Sequence, residues 1–288
     1  MTTQIRIFDR EFNVDLGSPI DISIPLEFNG PQPNVFGVER ATSAAVATQT
    51  LVGDTRRGGS CNFESVTLIP HCNGTHTECV GHITHERISL RDCLQAVFLP
   101  AILVTVAAES ARASGENYPV DFEETDQVIT QRALQNAFST YEKCMEGGVK
   151  PSATAEGIDM PRPPKALVVR TMPNDEGKKS AQYGESVPLF FSSEAVEYVV
   201  ALGVDHLLVD LPSIDRIYDH GKLSNHRLFW KIDSGSFDLN SESRRHSTVT
   251  ELIYVAKTVP DGEYLLNLQI APFQSDASPS RPILLKMS

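Results

Sequence analysis

Histidine and carboxylate side chains crowd one short stretch of the chain. Three of the eight histidines fall within the twelve residues 71–82, which also hold a glutamate and two cysteines. Imidazole nitrogens and carboxylate oxygens are common ligands of divalent metal ions, and a carboxylate can bridge two ions. The stretch therefore predicts a metal site. The candidate residues in this stretch are His71, Cys72, His76, Glu78 and His82, whereas Cys79 is predicted to be a buried structural thiol.

The direction in which these side chains point depends on the local backbone. In an extended segment, residues two apart share a face, which would place Cys72, Gly74, His76 and Glu78 on one side. Gly74 has no side chain and would permit a close backbone approach beside an ion. A surface or core role is the ordinary interpretation of a single histidine, but the density of this cluster favours a site.

Other chemistries find little support in the sequence. No glycine-rich nucleotide-binding motif, no Gly-x-Ser-x-Gly serine elbow and no Cys-x-x-Cys pair occurs. Five cysteines form an odd count, so a disulfide framework is not expected. The one nucleophilic alternative is Cys72 acting with His76 or His82, and we find no orienting carboxylate for it.

Charge and hydropathy restrict the partners of the protein. Lys and Arg number 25 against 37 Asp and Glu, a formal net charge of −12, which disfavours a nucleic-acid partner. The most apolar stretch, 94–108, is too short to span a bilayer, and the N-terminus shows no long apolar signal region. These features predict a cytoplasmic protein without a membrane or nucleic-acid partner.

Strands are predicted at both ends of the chain, and most of the helix lies in the middle. A strand, a helix with Ser192 or Ser193 as cap and Gly203 as terminator, and a second strand follow one another as in a βαβ unit. Pro260-Asp261-Gly262 is predicted to be the turn between the last two strands. The predicted strands are 5–8, 20–24, 65–69, 102–106, 166–170, 206–210, 251–255 and 264–270; the predicted helices are 125–141 and 194–202.

No linker divides the chain. We therefore predict a single α/β domain over residues 1–288, with a helical insertion at about 108–160. The Ser-rich run from Ser234 to Ser247 is predicted to be a solvated loop or a mobile flap over the site.

The motif in the cluster resembles the signature of the cyclase family of metal-dependent hydrolases, which includes bacterial kynurenine formamidase and isatin hydrolase. That signature is His-x-Gly-Thr-His-x-Asp-x-x-x-His. Here Gly74-Thr75-His76-x-Glu78-x-x-x-His82 matches it, with Glu in place of Asp. Further stretches are similar to later family elements: 203–205, 210–215, 226–228 and 250–252.

This resemblance implies a fold and an activity. The fold would be a mixed, barrel-like β-sheet with flanking helices, of the swivelling β/β/α kind seen in kynurenine formamidase. The activity would be metal-dependent hydrolysis of a small amide, formamide or cyclic amide, as in an arylformamidase. One or two Zn²⁺ or Mn²⁺ ions per chain and a homodimer are also implied.

The resemblance further implies roles for individual residues. His76 and Glu78 would be metal ligands, with Glu78 bridging two ions. His226 and Glu251 would hold the second ion, and His82 would be the acid/base that serves a bound water. The family's first histidine falls at Cys72, which strand parity favours as the ligand, whereas the chemistry of the family favours the neighbouring His71.

An alternative reading also follows from these departures. Cys72 and Glu78 are consistent with a metal-poor, non-hydrolytic relative that binds a small ligand or serves as a structural subunit. His85 has no counterpart in the signature, and we predict that it is structural. Asp210 and Asp215 flank Pro212 at a strand end, where carboxylates often cap turns, so we also predict structural roles for them.

Overall fold

The structure is a computed structural model that describes residues 1–7, 10–144, 152–154, 157–159, 164–184 and 187–288. Its strands are β1 (Thr2–Ile7), β2 (Arg10–Asp15), β3 (Ile20–Asp21), β4 (Asn34–Val35), β5 (Thr42–Ala45), β6 (Glu64–Thr67), β7 (His76–Cys79), β8 (Phe98–Ala107), β9 (Glu109–Ser110), β10 (Gln127–Ile129), β11 (Ser152–Thr154), β12 (Gly157–Asp159), β13 (Ala166–Met172), β14 (Gln182–Tyr183), β15 (Phe190–Phe191), β16 (His206–Val209), β17 (Thr248–Glu251), β18 (Gly262–Asn267), β19 (Ala277–Pro279) and β20 (Ile283–Lys286). Its α-helices are α1 (Pro70–Asn73), α2 (Leu90–Cys93), α3 (Ala111–Ser114), α4 (Gln131–Cys144), α5 (Ser193–Ala201) and α6 (Ser224–Trp230).

A nine-stranded mixed sheet organises the molecule. Its strand order is β19-β7-β17-β16-β13-β8-β18-β20-β3, and it curls into a half-barrel with few helices against it. The four strands from β17 to β8 run parallel, and the strands on both sides of them pair antiparallel. The predicted mixed, barrel-like α/β fold with flanking helices is confirmed.

The central strands are apolar because both of their faces are covered. Along β8, Leu103 belongs to one buried apolar cluster and its neighbour Val104 to another, and β13 alternates in the same way at Val168 and Val169. Successive side chains of a strand point to opposite faces, so the sequence of a strand between two apolar layers is a continuous run of apolar residues. Strands predicted at 102–106, 166–170 and 206–210 are confirmed.

The predicted βαβ unit is also confirmed. Strands β13 and β16 are parallel neighbours, and α5 connects them. The cap of α5 is Ser192, whose hydroxyl accepts a hydrogen bond from the backbone N–H of Ala195 at 3.1 Å. Gly203 follows the helix with φ +75°, a left-handed conformation that favours glycine.

Two predictions near the C-terminus are wrong. The strands at 251–255 and 264–270 are β17 and β18, which begin and end earlier than predicted. They do not form a hairpin, because β17 pairs with β16 and β7 whereas β18 pairs with β8 and β20. A run of apolar residues indicates that a strand will be buried but does not identify its neighbour, and a turn motif does not require that the two strands pair.

The middle segment contains strands as well as helices. The helix predicted over 125–141 begins only at Gln131, because β10 precedes it and pairs with β9 and β15. Thr130 caps that helix through its hydroxyl, which accepts from the N–H of Ala133 at 3.0 Å. Within 108–160, the described residues therefore form α3, α4 and the short strands β9 to β12.

The N-terminal predictions hold in outline. The strand predicted at 5–8 is β1, although Phe8 lies outside the described residues. The strand predicted at 65–69 ends at Thr67, and α1 follows it at Pro70. No helix in the described part of the chain combines the length and the apolar character needed to cross a bilayer.

Candidate metal centre

Strand pairing places two carboxylates and an imidazole together inside the sheet. His76 and Glu78 are two residues apart on β7, so both project from the same face. Glu251 lies directly opposite His76 on the antiparallel neighbour β17, and its Oε2 is 3.6 Å from His76 Nε2. All three side chains are buried. Glu251 is held in place by the backbone N–H of Ile214, which donates to its Oε1 at 2.9 Å.

The fourth member of this group comes from α6. His226 Nε2 lies 2.7 Å from Glu78 Oε1 and 3.6 Å from Glu251 Oε1. The ligand atoms of His76, Glu78 and Glu251 lie within 4.8 Å of one another. We call His76, Glu251 and His226 the buried half of the site.

Asp215 fixes the ring of His226. Its Oδ2 is 2.6 Å from His226 Nδ1, and its Oδ1 accepts hydrogen bonds from the Tyr118 hydroxyl at 2.8 Å and the Asn225 N–H at 2.7 Å. Because a carboxylate can only accept, Nδ1 carries the proton and Nε2 faces Glu78. Metal-binding histidines commonly have such a carboxylate behind them, which orients the ring and raises its basicity. Asp215 therefore supports the site directly, rather than only capping a turn.

The charges in the buried half balance only if a cation is present. Burial by itself lowers the pKa of His226, but the charge of Glu78 and the hydrogen bond to Asp215 raise it well above its ordinary value. Burial raises the pKa of Glu78, but the nearby charges of His82 and His226 hold it below its usual range. A proton on His226 or a metal ion can supply this positive charge.

His76 provides the test of whether a metal fits. Its Nδ1 lies 3.0 Å from the carbonyl oxygen of Gly74, which can only accept, so the proton sits on Nδ1 and the lone pair on Nε2. That Nε2 is buried and has no hydrogen-bond partner among the described residues, yet it faces the carboxylate of Glu251. A lone pair opposite a carboxylate in a buried site is the arrangement that a metal ion satisfies, so the residues present fit a divalent ion.

Two further histidines lie at the mouth of the site. His71 Nε2 is 3.5 Å from Glu78 Oε2, and His82 Nε2 is 3.9 Å from the same oxygen. Their rings stack with centroids 4.5 Å apart, and each side chain is 27% exposed. With Glu78 they form a second group of potential ligands. We call His71 and His82 the mouth half of the site, and Glu78 belongs to both halves.

The structure brings His71 to the site and leaves Cys72 outside both groups of ligand atoms in the described chain. The extended backbone expected here is instead the helical turn α1, which Pro70 begins. Consecutive residues of a helix point about 100° apart, so only one of the pair can face Glu78. Cys72 packs with an apolar cluster, where burial and the charge of Glu251 raise the pKa of its thiol to about 11.

Three other expectations near the site can be compared with the structure. Gly74 is extended, and a Cβ at this position would meet only Leu26 at ordinary contact distance, so packing does not require a glycine. His85 stacks on Phe237 with centroids 4.8 Å apart and belongs to neither ligand group. Asp210 is buried in an ion pair with Lys178 at 2.8 Å.

The run 234–247 lies largely at the surface. Arg244 anchors it by donating to the carbonyl oxygens of Phe229 and Val204.

Sequence reasoning missed the contribution of Asp215. The signal was present, because Asp215 ends the Asp-Leu-Pro-Ser-Ile-Asp stretch that resembles a family element. No sequence pattern indicates that Asp215 contacts the ring of His226, eleven residues later, or that the Tyr118 hydroxyl donates a hydrogen bond to the same carboxylate.

Comparisons with known proteins identify a family and a shared fold. A family model described as Putative cyclase matches residues 14–216. An isatin hydrolase bound to the product analogue thioisatinate is similar in structure, with a TM-score of 0.58, 13% identity and coverage of 94% of this chain and 93% of that one. Isatin hydrolase A from Ralstonia solanacearum has a TM-score of 0.57 and 14% identity, covering 93% and 91%.

A predicted metal-dependent hydrolase from Bacillus stearothermophilus has a TM-score of 0.52 and 14% identity, covering 93% of this chain and 98% of that one. No curated protein matches the chain. At these identities the solved structures show a common fold and not a common substrate. The family model covers well over half of the sequence, including the motif around Glu78, and the chain belongs to the cyclase family.

Proposed function

We propose that the protein is a metal-dependent hydrolase that cleaves the C–N bond of a small amide, formamide or cyclic amide, with arylformamidase-like chemistry. The observation that carries the proposal is the buried lone pair of His76 Nε2, which faces Glu251 without a hydrogen-bond partner among the described residues. The fold shared with metal-dependent hydrolases supports it.

The site residues have different roles in the proposed reaction. His76, Glu78, Glu251 and His226 would hold the ion, and His71 and His82 are placed to hold or serve a second position beside Glu78. A bound divalent ion supplies Lewis-acid polarisation of the substrate carbonyl and lowers the pKa of a water molecule toward neutrality. The buried half excludes bulk water, which strengthens every charge interaction within it.

His82 is the residue we assign as the general acid/base. It lies at the mouth, where a substrate would enter, and its Nε2 points toward Glu78 rather than away from it. An imidazole is suited to take a proton from water and return it to a leaving nitrogen, because its ordinary pKa of about 6.5 lies near working pH. The amide nitrogen leaves as an amine only after it receives that proton.

The donor set accommodates Zn²⁺ or Mn²⁺. With Cys72 outside the site, nitrogen and carboxylate oxygen atoms remain, and both ions accept such ligands. The two groups of potential ligands share Glu78, so the residues present would hold one or two ions per chain.

Metal content tests the proposal. Protein purified without chelator and without a tag should contain one or two Zn or Mn ions per chain, and His76→Ala should lose them. His85→Ala is the matched control, because it removes an imidazole outside the ligand groups and should keep the metal. Wild-type protein that takes up neither ion, even when both are supplied, would contradict the proposal.

Activity completes the test. Wild-type protein should hydrolyse at least one substrate from a panel of formylated amines and cyclic amides, and chelation should abolish that hydrolysis. Inactivation by thiol alkylation together with indifference to chelators would instead support the cysteine mechanism at Cys72.

One observation favours the alternative of a metal-poor relative that binds a small ligand or serves as a structural subunit. His226 and Glu78 already form a direct pair at 2.7 Å, which a proton on His226 satisfies without an ion. Under this alternative both proteins in the metal experiment are metal-free and folded, and neither hydrolyses the panel.

We also propose that the protein is a cytoplasmic homodimer, as the family resemblance and the sequence predict. Light scattering should return about twice the chain mass of 31.6 kDa. A value near the chain mass would contradict the dimer, and recovery of the native protein outside the cytoplasmic fraction would contradict the location.

A further inference from the structure

Asp276 is a carboxylate at the mouth of the site that the sequence analysis did not identify. It directly precedes β19, whose antiparallel register with β7 sets Ala277 opposite Glu78. The backbone carbonyl of Asp276 accepts a hydrogen bond from the N–H of Cys79 at 3.0 Å. The position of Asp276 beside the metal ligands is therefore determined by strand pairing and not by a free loop.

The side chain of Asp276 reaches both histidines of the mouth half. Its Oδ2 is 3.0 Å from His71 Nε2 and 3.4 Å from His82 Nδ1. Its other oxygen, Oδ1, accepts from the hydroxyl of Ser275 at 3.2 Å. These contacts hold the pKa of Asp276 below its usual range, so the group is an acceptor at neutral pH.

We propose that Asp276 is a positioning residue that holds the proton of His82 on Nδ1, so that the lone pair of Nε2 faces Glu78 and the metal site. A carboxylate can only accept, so it favours the tautomer in which the nearer ring nitrogen is protonated. The inference deepens the proposed function, because a general base needs its free lone pair on the side where the reacting water lies.

Replacement of Asp276 by asparagine should reverse the tautomer. The Ser275 hydroxyl donates to Oδ1, which keeps an oxygen at that position, so the amide nitrogen of the new side chain would occupy the place of Oδ2. That nitrogen donates to His82 Nδ1 and leaves the proton on Nε2. An asparagine behind a catalytic histidine is known to impose the wrong tautomer in this way.

The experiment is long-range proton–nitrogen NMR on ¹⁵N-histidine-labelled, metal-free protein at alkaline pH, because the nitrogen shifts of a neutral imidazole identify its tautomer. His82→Gln assigns the resonance. We expect His82 to be protonated on Nδ1 in the wild type and on Nε2 in Asp276→Asn. Asp205→Asn is the matched control, since it makes the same change at a carboxylate paired with Lys165, and it should leave the tautomer unchanged.

The wild-type spectrum tests the proposed His82 tautomer even if a variant does not fold. An Nε2-protonated His82 in the wild type would overturn the proposal, as would an unchanged tautomer in a folded Asp276→Asn protein. The measurement needs neither metal nor substrate. A protein that shows the expected His82 tautomer but binds no ion would contradict the hydrolase proposal and support the role of Asp276. A protein that binds metal but shows the other tautomer would support the hydrolase proposal and contradict the role of Asp276.

Discussion

The two halves of the candidate metal centre share Glu78 but are built differently. His76 and Glu251 face each other across paired strands, and His226 is held by the buried Asp215. The mouth half stands on short turns, with His71 on α1 and His82 on the turn Val80–Ile83, and its side chains are about a quarter exposed.

This contrast indicates what each half is suited to do. A buried imidazole that lacks a partner is costly, so the buried half should bind its ion tightly. The mouth half remains in contact with water and is supported by one carboxylate, so an ion there should exchange more readily and a substrate can reach it. The site therefore combines a rigid, dry interior with an accessible edge.

The largest effect is expected at Glu78, where the two halves meet. Glu78→Gln keeps the shape but removes the charge that both groups of ligands require. We expect metal affinity to fall by more than about 100-fold, because even residues that only support a ligand typically contribute 10- to 100-fold. Metal titration by calorimetry checks this, with Glu64→Gln on the exposed strand β6 as control. Tight binding in the Glu78 variant would break the idea of a shared ligand.

His206 is a buried histidine outside the site, and its pKa can be compared with that of His226. It is buried like His226, but burial, aided by the charges of Lys165 and Arg244, lowers its pKa to about 4. The folded protein therefore binds fewer protons there than the unfolded chain, whose histidine pKa is about 6.5. Stability from this group is complete above pH about 6.5 and is lost as the pH falls toward about 4, by roughly 3 kcal/mol in total.

The His206→Gln protein should lack this component. Urea unfolding of wild type and variant near neutral pH and near pH 4.5 gives the difference, since the carboxylates titrate alike in both proteins. An equal loss of stability in the two proteins would show that the folded protein does not lower the pKa of His206.

Asp215→Asn should weaken metal binding by the buried half, although Asp215 is not itself a proposed ligand. We expect a 10- to 100-fold loss of metal affinity, because the amide cannot accept every hydrogen bond that the carboxylate now receives from the His226 ring and the Tyr118 hydroxyl. Asp219→Asn is the control, since Asp219 also receives the Tyr118 hydroxyl but does not contact His226. Equal metal affinity in the two variants would remove Asp215 from the site.

The smallest effect is expected at Cys72. Cys72→Ala should leave metal content unchanged and cost stability only, on the order of 1 kcal/mol for a small buried side chain. His71→Ala should lower the affinity of the mouth half and keep the ion of the buried half. Loss of metal in the Cys72 variant, measured by elemental analysis, would reverse the assignment of the first ligand.

Much of the fold could be predicted from local patterns. The apolar runs of β8, β13 and β16 and the Ser192 and Gly203 caps of α5 are local signals, and all appear in the structure. The predicted hairpin between the last two strands failed, because strand pairing depends on contacts between residues far apart in sequence.

The sequence by itself determined which residues carry chemistry and which family they resemble. The spacing of His76 and Glu78 on one strand requires that they share a face, whatever surrounds them. Only the tertiary structure decided that His71 rather than Cys72 faces Glu78, since Pro70 begins a helical turn where an extended segment was expected. The tertiary structure alone also places Asp215 beside His226 and Asp276 beside His82. The distance between two segments along the chain does not determine their distance in space, so the sequence could not identify these carboxylates.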